Sequence, residues 1–143
     1  MAAPASGTHN IVVTHTQTGH ANIYASAGAV FLKGANQSNP VGTFVSATGA
    51  SDFSASVNVP AAVGDMVVDV LGGSQQVTTP GPGQTLRWYW DSGEPGFGST
   101  EPAAATTVTM SWSWPQFGAP WAMGAIAVKA APAASRADSS LAP

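Results

Sequence analysis

Hydrophobic residues fall at every second position through much of this chain, in short runs separated by turn-forming residues. Residues 106–115, TTVTMSWSWP, alternate Val108, Met110, Trp112 and Trp114 with Thr107, Thr109, Ser111 and Ser113. Successive side chains of a strand point to opposite faces, so this pattern predicts a strand packed on a core by one face and wetted on the other. DFSASVNVP predicts a second, with Phe53, Ala55, Val57 and Val59 inward, Ser54, Ser56 and Asn58 outward, and Pro60 as its end. QTLRWYWDS sets Leu86, Trp88 and Trp90 against Arg87, Tyr89 and Asp91. GDMVVDVLGG is apolar on both faces except at Asp65 and Asp69, the mark of a central strand. NIVVTHT, ANIYASAGAVFLKG, VGTFVSATG and WAMGAIAVKAA complete about eight predicted strands, and no run carries a helical period.

These elements predict an all-β fold, an antiparallel two-sheet sandwich over residues 10–131. An N-terminal arm, residues 1–9, precedes it, and a flexible C-terminal tail poor in large apolar residues, 132–143, follows. Residues 72–84 and 91–105 are so rich in Gly, Pro and Ser that they read as two long loops, where binding residues often sit.

Composition narrows the function. A length of 143 residues suits one domain, but only 8% of them are charged, about a third of the usual share. With four basic residues and a net charge of -3, the chain has nothing to neutralise a phosphate track, so a nucleic-acid partner is not expected. The absence of cysteine excludes disulfides, thiolate zinc sites and thiol nucleophiles. No run approaches the ~18 apolar residues of a membrane span, so membrane insertion is not expected either. The first residues, MAAPASGTHN, lack a signal-peptide pattern, which fits a protein that works where it is made or has lost a leader, and virion proteins meet the first condition. Low surface charge suits a face pressed against neighbours, so a homo-oligomer is expected.

Candidate chemistry is sparse. Trp88, Trp90, Trp112, Trp114 and Trp121 offer flat faces for stacking on sugars, although large aromatics on an apolar strand face ordinarily fill a core. Phe97 and Phe117, each beside glycine in a predicted loop, are candidates for exposed contact or for plugs folded back on the sheet. The spacing of His9, His15 and His20 does not make them converge on a metal. Calcium is conceivable at Asp65, Asp69, Asp91, Glu94 and Glu101, but no calcium-loop pattern joins them. A hydrolytic carboxylate pair would have to come from Asp69, Asp91, Glu94 and Glu101. With no nucleophile elbow and no metalloprotease helix, neither an enzyme nor a cofactor is expected.

The stretch FLKGANQSNPVGTFVSATGASDFSASVNVPAAVGDMVVDVLGG, with TPGPGQTLRWYW and VTMSWSW…WAMGAIAVKAA, resembles a jelly-roll-like β-sandwich module. Such modules occur in bacterial extracellular proteins and in the decoration and tail proteins of tailed-phage virions. The resemblance implies a non-catalytic structural or interaction protein on the surface of a large assembly, foremost a phage virion decoration (cement) or tail-associated protein. The expected contact residues are Tyr89, Trp90, Phe97, Trp114, Phe117, Gln75 and Gln76. The alternatives are a carbohydrate-binding module, or a cell-surface adhesin or filament subunit outside the cell. In the first, Tyr89, Trp90, Phe97 and Trp114 stack on a glycan while Arg87, Asp91 or Glu94 bind hydroxyls. The longer modules carry further strands before the point matching NIVVTHT, and without them the sheet leaves an edge for another chain.

Overall fold

The computed structural model describes residues 7–8, 10–14, 25–73, 78–91, 93–115 and 117–132. Among these the chain forms eight strands and no helix: β1 Val45–Asp52, β2 Ser54–Pro60, β3 Met66–Gly73, β4 Thr79–Pro80, β5 Thr85–Trp90, β6 Gly96–Pro102, β7 Thr107–Ser113 and β8 Ala119–Val128. They build two antiparallel sheets, a large one in the order β1-β8-β3-β6-β5 and a small one in the order β2-β7-β4. The protein is therefore an all-β, two-sheet sandwich, with β3 at the centre of the large sheet.

The strand order is that of a jelly roll with one strand displaced. In the eight-stranded form one sheet runs 1-8-3-6 and the other 2-7-4-5. Here the first order is intact, while β5 has left the small sheet and pairs with β6 instead. The cause is local. β4 pairs with β7 over only two residues, and Pro80, which has no N–H to donate, ends it on the exposed edge. Gly81 then starts a tight turn, closed by Gln84 N–H donating to Gly81 O at 3.2 Å with Gly83 at φ 83°, and this turn sends the chain across.

Six of the eight predicted strands coincide with observed ones, and two do not. In NIVVTHT the described residues 10–14 form no strand, and Ile11, Val12 and Val13 are 76%, 82% and 72% exposed. In ANIYASAGAVFLKG the described residues 25–34 also form no strand. Their place in the count is taken by β4 and β6, which lie in the two segments read as loops. Phe53, expected inward, is exposed, because it turns the chain from β1 in one sheet to β2 in the other.

Alternation holds elsewhere. Ala55, Val57 and Val59 of β2 and Val108, Met110 and Trp112 of β7 face Val67 and Leu71 of β3 and Met123 of β8 across the core. One carboxylate sits among them. Asp69 Oδ1 accepts from Ser99 N at 2.8 Å and Ser99 Oγ at 2.7 Å, on β6. Its Oδ2 accepts from the Trp112 indole N–H at 2.8 Å, on β7, and from Gln84 Nε2 at 3.2 Å. This carboxylate thus joins β3 to its sheet neighbour β6 and to β7 in the opposite sheet. Asp65 plays a matching part at the end of the sandwich, where its carboxylate accepts from Ala62 N and Ala130 N, each at 2.9 Å. That pair of bonds ties the β2–β3 turn to the chain leaving β8.

Burial raises the Asp69 pKa, and the hydrogen bonds from Ser99 and Trp112 only partly oppose it. Glu101 is raised in the same direction, by desolvation first and by the Asp69 charge second. A carboxyl group whose folded pKa exceeds its unfolded one stabilises the fold fully below the unfolded value, and that stability is lost as pH rises through the folded value. Asp69→Ala leaves four donors without their acceptor and is expected to destabilise the fold by at least about 3 kcal/mol in urea titrations. Asp69→Asn cannot ionise, so the stability of the native chain relative to this variant should rise as pH falls from neutral toward the ordinary carboxylate range.

Candidate interaction surface

The large sheet is apolar on its outer face as well as its inner one. Val68 and Val70 of β3 and Gly124, Ile126 and Val128 of β8 point outward there, opposite in phase to Val67, Leu71, Met123 and Ala125 in the core. Residues 26–32 cross this face in place of the predicted strand. With Phe44 and Trp88 they enclose an open cavity of about 470 Å³. The Trp88 indole is held between Gly98 beneath it and Gly28 above it, and a Cβ at either glycine would collide with the ring. This close approach explains why a glycine-rich segment such as GFGSTEP forms a buried strand. Phe44 similarly lies over Gly124, where a Cβ would come within 2.7 Å of its ring edge.

The expected contact residues separate in space. Tyr89 and Trp90 lie on β5, the edge strand, and are 60% and 56% exposed. Tyr89 is paired with Phe97, which faces the core, and so shares the inner face; Trp90 is paired with Gly96 and points outward. Phe97, expected in a loop, belongs to β6, is 4% exposed and packs its ring 5.7 Å from that of Trp112. Trp114 is 2% exposed and donates its indole N–H to Asp52 O at 2.8 Å. Phe117 is exposed, but it stands before β8, which is three strand spacings, about 14 Å, from β5. Gln75, Gln76, His9, His15 and His20 lie outside the described residues.

Trp121, Asp65 and Asp69 are also engaged internally. Trp121 donates its indole N–H to Asp52 Oδ2 at 2.9 Å and crosses Gly49. Of the four acids considered for hydrolysis, Asp69 and Glu101 are near enough for the charge of one to raise the pKa of the other. Asp69, however, is 3% exposed and saturated with donors. Among the described residues no three of His, Asp and Glu are grouped to hold a metal ion. No described helix is long and apolar enough to cross a membrane.

Two exposed apolar features were not visible in the sequence. One is the exposed run at residues 10–14, which alternation alone reads as an ordinary strand. The other is the uncovered inner face of β5, where Leu86 is 42% and Tyr89 60% exposed because the small sheet ends at β4. A strand that follows a Pro-Gly-Pro-Gly turn carries no signal that it will change sheets.

No family model matches the chain, and comparison with curated proteins and with solved structures gives no match either.

The two ring contacts separate a rigid from a yielding site. Gly98→Ala must displace the clasped Trp88 indole and is expected to destabilise by about 1–3 kcal/mol. Gly124→Ala meets only the edge of the exposed Phe44 ring, which swings aside, so its effect should lie within about 1 kcal/mol of zero. Denaturant midpoints of the two variants at unchanged m-value test the contrast.

Proposed function

We propose that this chain is a non-catalytic structural or interaction protein on the surface of a large assembly, with a phage virion as the first setting and decoration (cement) or tail attachment as the role. The observation that carries this reading is the apolar surface. Ile11, Val12, Val13, Phe31, Phe44 and Tyr89 are all exposed on a chain with 8% charged residues. On a chain with so little charge, this many large apolar side chains in water mark contact sites. The jelly-roll strand order adds support by analogy of fold alone.

The glycan alternative is less well supported. Phe97 and Trp114 are buried, and Tyr89 and Trp90 point to opposite faces of one strand, so these four rings make no common stacking platform. A catalytic role gains no support from Asp69, whose carboxylate is buried and held by four donors.

Immunogold labelling of particle fractions from lysates of the source organism tests the reading. Label in regular positions on particles is expected, and antigen confined to the soluble fraction would overturn it. On a glycan array no saturable binding is expected; binding lost in a folded Trp90→Ala variant would put the carbohydrate-binding alternative in its place.

A further inference from the structure

We propose that residues 10–14 of one copy of this chain dock in the notch that the displaced β5 leaves in the small sheet of a second copy, with Ile11 and Val13 against Leu86 and Tyr89. This deepens the assembly reading above, on which it rests, by naming the partner as the chain itself.

The notch follows from the topology. A jelly roll places its fifth strand beside the fourth, whereas here the small sheet stops at the two-residue β4, which leaves the inner face of β5 only partly covered. Leu86 and Tyr89, paired with Ser99 and Phe97, therefore point toward a missing layer and remain 42% and 60% exposed. The edge of β7 that β4 does not reach is open as well. Its pairing with β2 turns the backbone groups of Thr107 and Thr109 away from β2, and β4 and Gln84 reach only Ser111 and the residues after it.

The arm has the complementary pattern. Residues 10–14 are the length of an average strand, β-branched at four of five positions, and uncharged. Ile11 and Val13 share one face, as an inward-facing pair must. Within one copy the arm pairs with no described strand, and Ile11, Val12 and Val13 stay 76%, 82% and 72% exposed while the notch stays open. Exchange between two copies satisfies both surfaces at once and is isologous, so it closes at a dimer. With roughly 120 Å² on each of Ile11 and Val13, the two residues that face the notch, two exchanged arms and the surfaces they cover remove about 1,000 Å² from water, the scale of a weak interface. Because the arm carries no charge, the negative charge of the two copies does not oppose the contact locally.

Sedimentation velocity across the micromolar range tests the proposal on the full chain and on an Ile11→Asp/Val13→Asp variant, with far-UV circular dichroism to show that the sheets persist. The native chain should dimerise, and the variant should do so at least about 30-fold more weakly. A native chain that stays monomeric overturns the proposal, leaving the particle labelling above to decide the assembly reading independently. A variant that dimerises with native affinity also overturns it, yet leaves self-association in place. Because the chain has no cysteine, pairing is read directly by mixing a tagged Val13→Cys chain with an untagged Tyr89→Cys chain under mild oxidation. A disulfide-linked heterodimer supports the exchange, with less linkage from Val12→Cys on the opposite face. A Val13→Cys/Tyr89→Cys chain that closes only on itself overturns it, by assigning the arm to its own notch.

Discussion

The two layers of this sandwich are registered by a carboxylate. Apolar faces alone slide over one another, since burial is roughly proportional to area and has no direction. Asp69 supplies direction. Its two oxygens take donors from β6, from the turn before β5 and from β7, so the sheets meet in one alignment. The group is retained at a cost in desolvation that its raised pKa records. Two further indole donors follow the same logic at the other end, where Asp52 receives both Trp114 and Trp121. Tryptophan here closes a polar connection as well as filling volume.

Gln84 links this latch to the displacement of β5. It donates to Asp69 Oδ2 and to Ser99 Oγ while its carbonyl oxygen accepts from Ser111 N at 2.7 Å. A side chain therefore occupies a β7 edge position that a longer β4 would have filled. The core is sealed by a glutamine where a jelly roll ordinarily uses a strand, and β5 is released to extend the large sheet. The uncovered inner face of β5 is the consequence. Polar closure of the centre and apolar exposure at the rim are thus two results of one rearrangement.

Much of the fold was legible in the sequence because the small sheet is wet on one side. Val57, Val59, Val108, Met110 and Trp112 alternate with Ser, Thr and Asn, and each lies where the alternation puts it. The two faces of β3 were also readable, although what covers the outer face was not. The reading failed where glycine carried the signal. Gly96 and Gly98 suggested a loop, but their missing side chains are what lets Trp88 lie on β6. It failed again at residues 10–14, because a β-branched run states a preference for extended backbone and says nothing about a partner. The candidate contact residues fared by the same rule. Tyr89, Trp90 and Phe117 are exposed, whereas Phe97 and Trp114 are core, since an aromatic beside a glycine or at a strand end reads alike in either setting.

The position of β8 has a consequence for biosynthesis. It lies between β1 and β3, so Val45 meets Ala125 and Val67 meets Ala127 across long stretches of intervening chain. The five-stranded sheet cannot assemble until the codons for the last strand have been translated and that strand has cleared the ribosome. Closing such distant pairs is slow, and the earlier strands wait meanwhile with their edges unprotected. Nascent chains crowded on one messenger would then meet each other before each has met its own final strand.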